Sequence, residues 1–296
     1  MVDVGRVGVW SSALRVGDEG EAREAAGELE ELGFGALWLP GRGPDVFERA
    51  RVLLDATSRV AVATGIVSVW SKTAAEVAEA HAQLRAAHPQ RFLLGLGISH
   101  APLVAEYRAP LRVMREYLDE LDGEPAVPQS ERVLAALAPR MLELARDRSA
   151  GSHPYLVNVE HTHAARQVLG PEALLAPELG VVLETDPLRA RTIARKHLET
   201  YTRLPNYVRN WLRHGLREED VAGEPSDRLV DGLIAWGDLD AVAARIAAHH
   251  DAGADHVALQ VLADQTQAFH REAWRELAAL LRKSSPSPWD GTRERD

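Results

Sequence analysis

The chain reads as an α/β protein: a (β/α)8 TIM barrel with a helical insertion between strands seven and eight. Three observations predict it. Short apolar segments alternate with amphipathic helical ones along nearly the whole length, which is the pattern of parallel strands covered by crossover helices. Eight such pairs fit in 296 residues, against about 250 for a typical barrel. No shift in composition marks a second domain, so residues 1–283 read as one barrel and 284–296 as a disordered tail rich in serine, proline and charge. The runner-up, a doubly wound open sheet, would have to hold all eight strands side by side.

The elements follow in order. Arg6 to Trp10 is a first strand, and Asp18 to Leu32 an amphipathic helix with Ala22, Ala25, Ala26, Leu29 and Leu32 on one face and Gly33 as its C-cap. Gly35 to Leu39 is a second strand, stopped by Pro40-Gly41, and Pro44 to Thr57 a helix with proline in its first turn. Val60 to Trp70, VAVATGIVSVW, is strand three; its first half is short, apolar and partly β-branched, and Gly65 marks a bulge or a close approach. Thr73 to Ala87 is helical, Arg91 to Gly97 is strand four, and Pro102 to Leu121 is helical again. Arg132 to Leu137 and Tyr155 to Val159 read as strands five and six, with the helix Pro139 to Arg148 between them. Strand seven lies in the later half of Leu174 to Thr185, followed by a helix over Pro187 to Tyr201 and an irregular helical insertion over Pro205 to Leu233. Asp238 to His250 is a helix, His256 to Leu262 strand eight, and Ala268 to Leu281 a closing helix.

Composition narrows the function. There is no cysteine, so disulfides, thiolate metal sites and cysteine nucleophiles are excluded. The formal net charge of −10 argues against nucleic acid and anionic membranes as partners, and no apolar run is long enough to span a membrane or act as a signal peptide. A cytoplasmic protein acting on a small molecule is expected. Gly95-Leu96-Gly97 lacks the third glycine of a dinucleotide fingerprint, and neither a nucleophile elbow nor a P-loop is present. His153, His161 and His163 fall close together without accompanying carboxylate spacing, and read as core or solvated histidines, with no metal. In a barrel, chemistry sits after the strand C-termini. That places Trp10 and Trp70 at one mouth, as walls of a slot for a planar ligand.

Several stretches resemble the bacterial luciferase-like superfamily. TGI ends strand three, AAEVAEAHAQL lies on the following helix, RFLLGLG forms strand four, and GDLDAVAARIAAHHDAGADHVALQVL is similar to the family's last helix and strand. GVVLETDPLRARTIARKHLETYTRLPNYVRNWL resembles a branch of coenzyme F420-dependent oxidoreductases. The resemblance implies a homodimer and a deazaflavin, F420, in the barrel mouth, with FMN as the alternative cofactor. It also implies a bulge in strand three that carries a non-prolyl cis peptide, here Gly65-Ile66 after Thr64. The family's cofactor contacts map onto Trp10 and Ser11, Pro40 and Gly41, Gly97, Ile98 and Ser99, and Leu137, Ala138, Pro139 and Arg140. The start of the helix at Pro139 suits a phosphate, through the N–H groups of Arg140 and Met141. F420-dependent relatives often carry an acid and a histidine after strand two and a glutamate after strand four; this chain has Gly41-Arg42 and Ser99-His100. His100 is therefore the candidate proton-handling group, with Ser11, His153 and Tyr155 behind it. The expected activity is hydride transfer between F420 and an organic substrate; the alternatives are an FMN-dependent monooxygenase or a member that only binds a flavin or deazaflavin.

Overall fold

The computed structural model describes residues 1–283 apart from 42–44, 106 and 265–267. Pro44, the expected first-turn proline, and the tail 284–296 lie outside the described residues. The strands, in chain order, are β1 (Val7–Trp10), β2 (Ala36–Leu39), β3 (Ala61–Thr64), β4 (Val67–Ser68), β5 (Phe92–Gly97), β6 (Arg132–Leu134), β7 (Gly151–Ser152), β8 (Leu174–Leu175), β9 (Glu178–Val182), β10 (Ile234–Trp236) and β11 (Val257–Val261). Every pairing among them is parallel.

Two of the staves are interrupted. Between the pairs Ala63↔Leu93 and Val67↔Leu96 the third stave advances four residues while β5 advances three, so Gly65-Ile66 carries a bulge. The seventh stave bends at Ala176-Pro177: β8 pairs with β7, whereas β9 pairs with β11. The bonds Ala176 N to Ser152 O and Ala258 N to Pro177 O carry the pairing through the bend. The ring then closes between β11 and β1, with Val7 opposite Val257. This is the (β/α)8 barrel expected from the sequence, with β10 as an additional strand on the free edge of β9.

Helix boundaries follow local chemistry. Asp18 caps the helix Glu19–Leu32, which ends on Gly33 at φ 94°. Thr73 and Glu76 form a reciprocal capping box at the head of Ala74–Ala87. The insertion consists of three short helices, Pro205–Arg213, Glu218–Val221 and Asp227–Leu233, which pack Trp211 and Leu229 into a small apolar cluster shared with Ala190, Ala194 and Leu198 of the preceding helix.

Some expectations are corrected. Tyr155 to Val159 is not strand six; that stave is Gly151–Ser152, and Val159 already opens the helix Val159–Leu169, capped by Asn158. The stretch from Pro102 to Leu121 is a single 3-10 turn, Ala101–Leu103, followed by the helix Pro110–Leu121. Strand β10 had no counterpart in the sequence reading.

Inside the ring the residues are small, including Ala36, Ala61, Ala63, Ala176 and Ala258, and this leaves room for two indoles, Trp10 and Trp38. Trp38 stacks on His153 at 3.9 Å and donates to His256 Nε2 at 2.9 Å. His256 Nδ1 in turn donates to Gly5 O at 2.8 Å, and Val2 and Val4 pack into the same cluster to seal the floor.

Candidate active site

The mouth is organised around the interrupted third stave. The Gly65-Ile66 peptide is cis. Residues Ala61–Thr64 are buried, but Gly65 and Ile66 are only half-buried, so the mouth opens onto the bulge. The backbone can bulge here because its neighbours are glycines. A β-carbon placed on Gly95 would sit 1.9 Å from Thr64 O, one on Gly41 2.0 Å from Ile66 O, and one on Gly97 2.4 Å from Ile66 Cδ1. Thr64 holds the junction by donating from Oγ1 to Gly95 O at 2.9 Å while accepting from Gly95 N at 2.8 Å. The side chain thereby replaces ladder bonds that the bulge displaces.

Below the bulge lie Trp10 and His153, each against the Cα of Gly65: its β-carbon would be 2.6 Å from Trp10 Nε1 and 2.9 Å from His153 Nε2. Both nitrogens are buried and have no hydrogen-bond partner among the described residues. His153 donates from Nδ1 to Ala176 O at 2.6 Å, leaving Nε2 as a bare acceptor. Burial lowers its pKa to about 3, so the ring is neutral.

Above the bulge, an aromatic arch crosses the opening. Trp10 meets Tyr155 at 5.5 Å between ring centres, Tyr155 meets Tyr201 at 5.6 Å, Tyr201 meets Tyr207 at 5.3 Å, and Tyr207 meets His100 at 4.8 Å. Tyr201 O–H donates to the Tyr155 oxygen at 3.3 Å, and Tyr155 O–H donates to Gln260 Oε1 at 2.7 Å. His197 Nε2 lies 3.3 Å from the same Tyr155 oxygen, and burial lowers the His197 pKa to about 4. Asn206 Nδ2 donates to His100 Nδ1 at 3.3 Å, tying the insertion to the loop after β5.

Behind Tyr155 sits Glu178. Its Oε2 accepts from Leu156 N at 3.0 Å, its Oε1 is buried with no hydrogen-bond partner among the described residues, and burial pushes the carboxyl up to about 8 against the pull of the Leu156 N–H. Leu156 itself is held at φ 51°, with its carbonyl taken by Trp211 Nε1 at 2.8 Å.

The residues expected at the site are placed as follows. Trp10, Gly41, Thr64, Gly65, Ile66 and Gly97 converge on the bulge. Ser11 is buried at the end of β1, with its N–H on Trp38 O, and Pro40 is half-buried after β2. Ile98 and Ser99 line the rim; Trp70 Nε1 donates to Ile98 O at 2.7 Å, and Ser99 has φ 58°. Leu137 packs against the insertion core, and Ala138 precedes the helix Pro139–Arg148 in extended conformation, with no side-chain cap. One expectation fails there. The Met141 N–H is taken by Ala138 O at 2.9 Å, so it is not an outward donor. The three clustered histidines also diverge: His153 lies inside the barrel, His161 is buried on the following helix, and His163 is exposed. Among the described residues no group of three or more acids and histidines could hold a metal. Glu178, His197, Tyr201, Tyr207 and Gln260 escaped the sequence reading. Only Glu178 left a signal there, as a lone acid within LLAPELGVVL.

A flavin or deazaflavin ring is flat, with apolar faces. The residues present fit such a ring: the bulge offers bare backbone as a floor, Ile66, Trp70, Ile98 and Leu137 form a half-buried apolar rim, and Ser11, Ser68 and Ser99 add hydroxyls. The fold is a (β/α)8 barrel, and its likeness to known proteins lies among the luciferase-like ones. Residues 2–123 match the family model of luciferase-like monooxygenases. An F420-dependent secondary alcohol dehydrogenase in complex with an F420-acetone adduct superposes with a TM-score of 0.71 at 16% identity, over 94% of this chain and 99% of that one. The coenzyme F420-dependent tetrahydromethanopterin reductase from Methanopyrus kandleri gives 0.71 at 14% identity, over 93% and 97%. The oxygenating constituent of 3,6-diketocamphane monooxygenase from Pseudomonas putida, in complex with FMN, gives 0.69 at 13%, over 95% and 97%. Among curated proteins no sequence matches. The luciferase-like resemblance read from the sequence is borne out, and at these identities the solved structures speak to the fold. No helix among the described residues is long and apolar enough to cross a membrane.

Proposed function

We propose that the chain is an oxidoreductase that holds coenzyme F420 in the barrel mouth, its ring against Gly65-Ile66, and acts on an organic substrate beneath the insertion. The observation that carries this reading is the half-buried bulge at Gly65-Ile66, for which glycines 41, 95 and 97 make room and over which the apolar Ile66 side chain lies. The similarity of residues 180–212 to the F420-dependent branch favours the deazaflavin over FMN. When bound, the deazaflavin supplies hydride transfer at its C5.

The protein's part is to bind, orient and shield. Ile66, Ile98 and Leu137 would supply apolar contacts to the ring, and the helix start at Ala138-Pro139-Arg140 would hold the phosphate of the tail. The arch of Tyr155, Tyr201 and Tyr207 excludes water, and His100, on the arch's far end, moves the proton. Two copies associate through outer helices such as Ala74–Ala87, and light scattering at micromolar concentration reads this directly.

Titrating the full chain separately with F420 and FMN tests the proposal. F420 is expected to bind at least tenfold more tightly. Tight FMN binding with oxygen consumption would make the protein a monooxygenase instead, and failure to bind either cofactor refutes the site.

A further inference from the structure

His100 sits on the loop after β5, but the group that meets its ring edge comes from the insertion. Asn206 Nδ2 lies 3.3 Å from His100 Nδ1. A carboxamide nitrogen carries two N–H bonds and offers no lone pair, so it can only donate. His100 Nδ1 is then the acceptor, and in the neutral ring the proton sits on Nε2. One hydrogen bond decides which edge of the imidazole is a donor and which an acceptor.

The helix Pro205–Arg213 is held so that this contact is kept. Pro205, at its first position, fixes the backbone immediately before Asn206. Tyr207, the next residue, sets its ring 4.8 Å from the imidazole at an interplanar angle of 32°, so His100 is met on a ring face as well as at Nδ1. Tyr207 in turn stacks on Trp211 at 29°, and Trp211 Nε1 donates to Leu156 O at 2.8 Å. Just past the far end of the helix, Asn158 Nδ2 donates to His214 O at 2.9 Å. The helix is thus tied at two points to the segment after β7, and its first turn is carried to the loop after β5.

The residue type matters, because a carboxylate in the same place would do the opposite. Beside a histidine, Asp or Glu accepts from Nδ1–H and leaves Nε2 as a lone pair, which is the arrangement of a general base. An amide donor on Nδ1 leaves Nε2 as an N–H, the arrangement of a neutral imidazole that polarises a substrate oxygen.

Resting on the reading of His100 as the proton-handling group, we infer that Asn206 is a positioning residue that holds His100 in its Nε2–H tautomer, so that the ring meets a substrate oxygen as a hydrogen-bond donor and not as a base. The insertion then sets the polarity of the histidine as well as covering the mouth.

The test reads the tautomer directly and needs no substrate. Long-range 1H–15N correlation spectra of the 15N-labelled full chain are recorded without cofactor at pH 8, above the ordinary histidine range. The His100 signals are those lost in His100→Ala. The wild type is expected to show His100 in the Nε2–H form. Asn206→Asp, whose ionised side chain can only accept, is expected to invert it to Nδ1–H, and Asn206→Ala to give an average of the two forms. F420 affinity is expected to stay unchanged in both variants, since Asn206 acts through His100 alone. Asn206 is half-buried on the insertion, and Asn206→Ala remains informative if Asn206→Asp folds poorly. A wild-type His100 in the Nδ1–H form overturns the inference. So does a tautomer unchanged in both variants, the result expected of a residue that only shapes the mouth. If the tautomers respond as expected while F420 does not bind the wild type, the cofactor assignment falls and the pairing of Asn206 with His100 stands; the reverse pattern overturns the pairing alone.

Discussion

Replacing Glu178 by glutamine changes one proton and little else. Glutamine keeps a carbonyl oxygen to accept from Leu156 N, and it puts an amide nitrogen where Oε1 has no partner. The wild-type carboxyl, 1% exposed, is raised from an ordinary 4.5 to about 8. The folded state therefore binds this proton more tightly than the unfolded chain does, so the group's full contribution to stability is present below about pH 4.5 and is lost as pH climbs toward 8. At about 1.4 kcal/mol per pH unit, rounded down for the onset near 4.5 and the levelling near 8, the loss between pH 5 and pH 8 is about 3 kcal/mol. Glutamine has no such dependence. Urea unfolding of both proteins at pH 5, 6, 7 and 8, read by tryptophan emission, isolates the effect because the other titrations cancel in the difference. The variant should be within about 1 kcal/mol of wild type at pH 5 and gain on it by about 3 kcal/mol by pH 8. A difference that stays flat with pH would show that Glu178 ionises normally, and the buried, proton-retaining carboxyl behind Tyr155 would be refuted.

Three other outcomes are expected. Gly95→Ala should cost about 2–3 kcal/mol in thermal or urea unfolding, because its β-carbon would collide with a carbonyl, Thr64 O at 1.9 Å, that belongs to the bulge and cannot rotate away. Ala138→Asp should stabilise the cofactor-free protein by about 1 kcal/mol, since the N-cap has no side-chain acceptor, and should weaken F420 binding if the phosphate lies there; unchanged affinity refutes that placement. His100→Ala should lower kcat by about 100-fold while leaving F420 affinity within about twofold of wild type; full retention of kcat moves the proton-handling role elsewhere, with Tyr155 next in line.

The sequence carried the alternation of strands and helices because its punctuation is local. Gly33, the Thr73–Glu76 box and Pro139 mark their helix ends by chemistry that needs no tertiary context. Strand six was misplaced for the opposite reason. Gly151–Ser152 is too short and too poor in β-branched residues to show a period, and it is a strand only because β6 and β8 flank it, whereas YLVNV has strand composition and serves as a loop and helix start. Gly65 marks a bulge or a close approach in the sequence itself, the cis peptide came only from family resemblance, and the glycine collar is visible only once Gly41, Gly95 and Gly97 are brought around it. His197, Tyr201 and Tyr207 were illegible as site residues, because an outer helix and an insertion carry them to the mouth only through packing.

The seam between β1 and β11 has a consequence for how the protein is made. His256 and Gly5, which bond across it, are 251 residues apart. On a ribosome adding about 5–20 residues per second, β1 waits roughly 13 to 50 seconds for the partner on its second side. During that interval one edge of β1 is open to any other strand, and Val2 and Val4 have no finished floor to fill. The nascent chain thus passes through a half-built stage whose hazard lies at residues 2–10, and a chaperone that shields them until β11 emerges would raise the yield of folded protein more than one acting on the insertion.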